Sequence, residues 1–294
     1  MILQTNLPLL SRKNAGVLLE RHGILLAFIA CMIGFTLASD RFMSADNVMS
    51  VLRQTSVIGT MALGVTIVVI GRNLDLSVGS MLSFATVLVV DLHDKIGPVQ
   101  AILAMYFLTL MIGCLNGFLI GFLRLNSLIV TLGMLSAIQG VTLIYTGGQN
   151  VDIANQDQAW FAFFGRGEVF GIATPIVIFL GLSLIFGILL TRSTFGRKVF
   201  AVGGNPIATV YSGIRRGRIV FATYVISAFT TATAALILGS RVMGSQNNVG
   251  QGYELLVLAG VILGGTSMLG GSGGIGKTVI GVLLLGFIQN GLLL

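Results

Sequence analysis

GGSGGIGKT, Gly270 to Thr278, decides between two architectures. From Gly271 it satisfies G-x-x-x-x-G-K-[S/T], the loop whose backbone N–H groups and lysine wrap nucleotide phosphates. A true phosphate loop needs a buried strand before it, a helix after it and a soluble α/β domain around it. A turn between apolar runs needs a membrane protein instead. The flanks favour the turn: apolar runs lie on both sides, and only sixteen residues follow Thr278. No later strand ends in an aspartate to hold Mg²⁺. The glycines are expected to serve a tight turn or close packing, with Lys277 at a membrane edge.

Composition points the same way. Hydrophobic residues make up 55% of the 294 and charged residues 9%, where a soluble domain carries roughly 25% charged. Forty glycines inside apolar runs fit close helix–helix contact in lipid. The expected fold class is an all-α polytopic membrane protein. Cys31 and Cys114 sit in apolar runs as small hydrophobes, and His22 and His93 have no acid or cysteine cluster around them. No metal site, cofactor or disulfide is expected. No nucleophile–base pair stands in the spans, so the chain is not expected to be an enzyme.

At about 20 residues per membrane helix, nine candidate spans appear: 23–38, 55–71, 76–90, 98–123, 127–146, 172–190, 219–240, 255–269 and 277–294. Those at 76–90 and 255–269 are short and glycine-rich, as in broken or re-entrant helices. Residues 1–22 form a polar, basic tail, and 23–294 the transmembrane domain. With the N-terminus inside, twelve Lys/Arg (Arg12, Lys13 and Arg21 among them) fall inside and five outside, while eight of the ten acids fall outside. This places the N-terminus in the cytoplasm of a multi-pass membrane protein. The net charge of +7 is mostly topology, and no basic–aromatic interleaving marks nucleic-acid binding.

IGRNLDLSVGS, Ile70 to Ser80, sets Asp75 among apolar neighbours. A carboxylate at membrane depth needs a partner, and Arg72 is the candidate. Gly71 and Gly79 permit a helix break. Asn73, Asp75 and Ser77 then face a polar pathway, or Asp75 caps the next helix. Asp75 precedes Asn116-Gly117 by forty-one residues, and Glu254 precedes Asn290-Gly291 by thirty-six. An offset of five spans inverts the second copy, giving a five-plus-five inverted repeat. Three leucines follow Gly291, so a tenth helix is expected to be missing.

Thr191 to Arg218 holds six basic residues and no acid. Pro206 suits a helix start, with a short helix over Ile207 to Ser212. The segment is expected to dock another protein or to be a solvated loop. The loop Gly147 to Thr174, with Asp152, Asp157, Trp160 and Glu168, lies on the opposite side. It is expected to gate a pore, touch an external partner, or form surface turns with an interfacial helix.

RNLDLSVGS, LNGFLIGFLRLNSLIVTLG, TFGRKVFAVGGNPIATVYSGI, GQGYELLVLAGVILGGTSMLGGSG and GFIQNG occur in that order from about Asp46 to Leu294. Together they resemble the permease subunits of bacterial ABC sugar importers, of ribose, arabinose, xylose, rhamnose and autoinducer type. The resemblance implies a pathway between this chain and a second or sister permease, two cytoplasmic ATPases, and a periplasmic binding protein that delivers a monosaccharide. It places Thr194, Phe195, Gly196, Arg197, Gly203, Gly204, Asn205 and Pro206 in the ATPase-docking segment. The ATP site then belongs to the partner. Hydroxyl-matching side chains for the sugar are Asn73, Asp75, Ser77, Asn116, Thr131, Gln139 and Asn290. Gly71, Gly79 and Glu254 stand at helix breaks that could gate. The family often has Gly-Gly where this chain has Gly71-Arg72. An ion-coupled carrier using Asp75 and Glu254, or a nonfunctional remnant, are the alternative readings.

Overall fold

The computed structural model describes residues 12–154 and 159–294, without the side chains of 12–22 and 159. Residues 1–11, Asp157, and the side chains of Arg12, Lys13, Arg21 and His22 thus lie outside the described residues. Twelve helices follow in order: α1 (Arg12–Ala38), α2 (Ala45–Ile70), α3 (Val78–Ile96), α4 (Pro98–Gly121), α5 (Ser127–Thr146), α6 (Ala159–Arg166), α7 (Thr174–Arg192), α8 (Thr194–Gly204), α9 (Pro206–Tyr211), α10 (Arg216–Val242), α11 (Tyr253–Leu263) and α12 (Ile275–Gly291). Four two-residue strands pair as β1 (Val151–Asp152) with β4 (Gly244–Ser245) and β2 (Glu168–Val169) with β3 (Ile172–Ala173). The fold is an all-α polytopic membrane protein.

All nine expected spans are helical, with shifted ends. α1 begins at Arg12 and so reaches into the segment read as a tail. α3 runs to Ile96, beyond the expected end, because its last turns carry Asp91, His93, Asp94 and Lys95. Those charges hide a helix from a hydropathy count but are satisfied at its end. α11 is shorter than expected, 11 residues: it starts two residues early, at Tyr253, but stops before the Gly264-Gly265 turn. Among the described residues, five helices are long and apolar enough to cross a membrane by themselves: α2, α4, α5, α7 and α10.

α2 and α10 form the centre. α2 packs on α10, α11 and α12, and α10 packs on α2, α3 and α4. This is the exchange an inverted repeat produces, each copy's second helix sitting on the other copy's third and fourth. Small residues allow the approach. A Cβ on Gly64 of α2 would sit 2.2 Å from the Thr230 hydroxyl and 2.7 Å from the Ser227 Cα. One on Gly113 would meet Ala228 of α10 at 2.4 Å. In lipid, such backbone proximity carries much of the association through dispersion contacts. Thr66 of α2 and Thr278 of α12 add a buried hydroxyl pair at 2.8 Å.

GGSGGIGKT is a packing joint. Gly270, Gly271 and Gly273 hold φ of 80°, 74° and 146°, where side chains are strained. The Gly271 N–H donates to the Ile70 carbonyl at the end of α2 (2.9 Å), so it is spent on the fold. A Cβ on Gly271 would lie 2.5 Å from the Gly204 Cα, and one on Gly270 2.6 Å from the Arg72 Cβ. The loop therefore seats the ends of α2 and α8 against each other. Lys277 stands exposed in the first turn of α12, at the same basic end of the bundle.

Candidate functional site

α2 ends in a Schellman arrangement: the Arg72 N–H donates to Val69 O (2.9 Å) and the Asn73 N–H to Val68 O (3.2 Å). Arg72 occupies its left-handed position, φ 63°. That conformation is one that glycine adopts more readily than arginine. It also turns Arg72 outward, so the expected Arg72–Asp75 pair does not form; Arg72 is exposed. Asp75 is instead held by serines. Its Oδ1 accepts from the Ser77 N–H (3.2 Å) and Oγ (2.6 Å), and its Oδ2 from Ser227 Oγ of α10 (2.8 Å). Asn116 Nδ2 of α4 donates to Ser77 Oγ (3.0 Å), while its Oδ1 has no partner. Asn73 Nδ2 returns to Gly71 O (2.9 Å).

Three sequence-predicted residues, Asp75, Ser77 and Asn116, thus meet in one knot with Ser227. The knot is sealed: Asp75, Ser77 and Asn116 are exposed by 3%, 0% and 0%, and Asn73, bonded back to Gly71, is buried beside it in sequence. It ties the start of α3 to α4 and α10. Gly71 caps α2 as expected. Gly79 is not a break but lies inside the first turn of α3, and a Cβ there would reach the Glu254 carboxylate at 2.0 Å and Gly250 O at 2.8 Å. Thr131 is buried, its hydroxyl bound to Ser127 O of its own helix (2.8 Å).

The second assembly is open. After β4 the chain turns back along α3. Asp94 accepts from the Ala154 N–H beside the strand pair (2.8 Å), whereas the Gly250 N–H donates to Ser83 Oγ (2.8 Å). Those α3 residues are eleven apart, so the chain has gone roughly 16 Å into the bundle before α11 begins. A half-helix start inside the bundle leaves polar backbone and side chains at depth, which is tolerated only where they line a cavity. The cavity is there, about 260 Å³, lined by Ser80, Gln139, Asn247, Asn248, Gln251 and Glu254 with Leu135 and Leu143. Gln139 Nε2 donates to Asn247 O (3.0 Å) and pins the segment to α5. Glu254 Oε1 accepts from the Gly252 N–H (3.2 Å). Four amides, a carboxylate and a hydroxyl offer both donors and acceptors.

Gln139 and Glu254 are therefore the sequence-predicted residues that see open space together. Asn247, Asn248, Gln251 and Ser80 were missed. The signal was in the sequence as QNN and GQG, Gln246 to Asn248 and Gly250 to Gly252, between two apolar helices. Asn290 lies elsewhere, in a reciprocal amide pair with Asn47 (2.8 and 2.9 Å) that fastens α12 to the start of α2. The Asn-Gly repeat thus places Asn116 and Asn290 in unlike surroundings.

At the basic end, the docking segment divides by exposure. Gly196 and Gly203 are buried against the Leu190 and Ile70 backbones, so neither reaches a partner. Phe195 is partly buried against the core. Thr194, Arg197, Gly204 and Asn205 are exposed, and Pro206 half-exposed. Asn205 Oδ1 caps α9 through the Ala208 N–H (2.9 Å), so the short helix forms where Pro206 predicts it. α9 carries two large, strongly exposed side chains, Ile207 at 72% and Tyr211 at 88%. At the opposite end, the 147–174 loop folds as short elements. Arg166 Nε of α6 donates to Arg241 O (2.6 Å), and Arg53 pairs with Glu168 (3.0 Å).

Comparison with known proteins agrees with this architecture. The ribose import permease protein RbsC of Escherichia coli K12 is 35% identical over 277 residues, 94% of this chain and 86% of that protein. RbsC of Bacillus subtilis is 34% identical, covering 93% and 85%. The L-arabinose transport system permease protein AraH of Escherichia coli K12 is 32% identical, covering 95% and 85%. No solved structure matches the chain. The family described as branched-chain amino acid transport system / permease component matches residues 47–294. Over nearly its whole described length, the chain belongs to this family of transport permeases.

Proposed function

We propose that the chain is the membrane-spanning permease of an ATP-driven importer for a monosaccharide, with its basic end and N-terminus in the cytoplasm. The observation that carries this reading is the amide-lined cavity at the buried start of α11. Amides bind hydroxyls in either sense and hold a sugar loosely enough to release it. The names of the ribose and arabinose permeases support that substrate class. A second permease copy or a sister completes the pathway across α5. That helix buries only Thr131, Ile138 and Thr142. Its Gly133 and Gly140 face open space, and small residues suit close contact with another helix. A periplasmic binding protein delivers the sugar at the end bearing α6. Cytoplasmic ATPases supply the energy, and this chain contributes no catalytic group.

Gln139→Leu tests the cavity. It removes a sugar-facing amide and frees the Asn247 carbonyl. Uptake of the transported pentose into cells is expected to fall about tenfold, the effect of one net hydrogen bond. Retention of the ATPase on purification is expected to be unchanged. Parental uptake by the variant would remove the cavity from the pathway.

The ATPase is proposed to seat on the exposed edge from Thr194 and Arg197 through Gly204 and Asn205 to α9. Changing Ile207→Asp together with Tyr211→Ala is expected to lower co-purification of the ATPase at least tenfold, since exposed aromatic and aliphatic anchors dominate such contacts. Equal retention by variant and parent would move the docking surface elsewhere.

A further inference from the structure

We infer that the concavity between α9 and the crossing of α4 with α10 is a binding site for the phosphate of an anionic phospholipid. It measures about 700 Å³ and is lined by Arg124, Arg215, Arg216 and Arg218, with no acid among its lining residues. The fold gathers these charges. The ends of α4 and α10 meet so closely that a Cβ on Gly121 would lie 2.6 Å from Gly217 O, and one on Gly217 2.7 Å from Gly121 O. Arg124, three residues past the end of α4, is thereby brought beside the first turn of α10. Two glycines at a crossing thus build a four-arginine rim that neither segment holds alone.

Two features go beyond the ordinary excess of basic residues at a cytoplasmic edge. The Arg216 Nε is buried and has no hydrogen-bond partner. A guanidinium nitrogen in that state costs free energy unless an acceptor completes it. No salt bridge engages any of the four arginines among the described residues. The ligand must therefore bring the negative charge, and a phosphate satisfies forked guanidinium donors.

The surroundings make that phosphate a lipid's. The rim stands where membrane helices end. Phe122, Leu123, Leu125 and Ile129, all exposed, continue from it along the α4–α5 turn onto α5. A headgroup phosphate among the arginines would thus leave its acyl chains beside apolar side chains. The assignment of this edge to the cytoplasmic leaflet rests on the orientation proposed above; the site itself does not.

The test uses the detergent-purified chain and native mass spectrometry with phosphatidylglycerol and phosphatidylcholine as probes. The parent is expected to retain phosphatidylglycerol preferentially. Arg124→Gln, Arg216→Gln and Arg218→Gln combined are expected to weaken that retention on the order of a hundredfold, at the usual contribution per basic residue near an anionic surface. Arg192→Gln, Arg197→Gln and Lys198→Gln combined remove the same charge from the same end and are expected to change it less than about threefold. Equal loss in both triple variants would overturn the site, as would equal retention of the two lipids. Displacement by millimolar inorganic phosphate would show a free-anion site instead. Ile207 and Tyr211 also line the concavity, so the docking variant takes no part in this test. Loss of the lipid from the parent chain when the ATPase binds would give the groove to the ATPase. Lipid retention is read on the purified chain without the ATPase, so a failure of docking leaves it measurable.

Discussion

Gly203→Ala is expected to disable the protein, whereas Gly204→Ala, one residue on, is expected to be silent. A Cβ on Gly203 would fall 1.8 Å from Ile70 O and 2.5 Å from the Gly271 N, both backbone. Backbone cannot rotate away, so α8 must lift off α2 and the glycine loop. The Gly271 N–H···Ile70 O bond of 2.9 Å is lost with it. Overpacking costs about 1–3 kcal/mol and a buried unpaired N–H about 1–3 more. The sum is roughly 4 kcal/mol, a large part of a domain's net stability. On Gly204 the nearest atom to a Cβ is the Gly271 Cα at 3.9 Å, ordinary contact. The measurement is the thermal midpoint in mild detergent, followed by ATPase retention. Gly203→Ala should melt well below the parent and lose the ATPase; Gly204→Ala should match the parent in both. Equal behaviour of the two variants would dissolve the joint as an element of the fold.

The same joint gives the docking segment a rigid path inward. α8 meets the end of α2 at Ile70, and the Asp75 turn begins at the next residue. A pull on the docking edge would reach that turn through packed backbone. Such a path is a structural route, and coupling along it needs energetic proof.

Asp75→Leu is the second large effect. It deprives the Ser77 N–H, the Ser77 hydroxyl and the Ser227 hydroxyl of their acceptor inside a sealed knot. Unsatisfied buried donors cost about 1–3 kcal/mol each, so roughly 4 kcal/mol is at stake. Asp75→Asn keeps one carbonyl oxygen, and Oδ1 serves both Ser77 donors. Its cost is expected to be about 1 kcal/mol. Melting curves in detergent should therefore rank parent, Asp75→Asn and Asp75→Leu in descending order, with uptake following the amount of folded protein. An Asp75→Leu chain that melts with the parent yet carries no sugar would return Asp75 to the substrate path. The distinction matters because a buried acid in a transporter invites a functional reading, while this one is exposed by only 3%.

Much of the fold was legible from residue order. Each membrane helix is a local sum of apolar transfer free energies over about twenty residues, so its existence does not wait for its neighbours. The break after Ile70, the helix start at Pro206 and the shortness of α11 follow from glycine, proline and length. Basic residues likewise mark one end of the bundle by composition. The exceptions are instructive. Charges in the last turns of α3 hid its true length, and the Gly264-Gly265 turn ended α11 early.

The candidate site was legible only in part. Asn116 and Asn290 precede glycine in matching positions, yet one enters the Asp75 knot and the other pairs with Asn47. Gly203 and Gly204 are adjacent and identical, yet a Cβ on the first would strike backbone at 1.8 Å and one on the second only reaches 3.9 Å. Gln139 faces a cavity while Thr131, two turns earlier on the same helix, bonds its own backbone. In the first two cases the residue type is the same, and in the third both side chains are polar and share one helix. What differs is the atom that another helix, far along the chain, places within 3 Å. The sequence by itself determined which segments enter the membrane, because that balance is local. Tertiary structure alone decided which polar groups are sealed, which meet the open cavity, and that GGSGGIGKT packs on the ends of α2 and α8. Those outcomes depend on where helices cross.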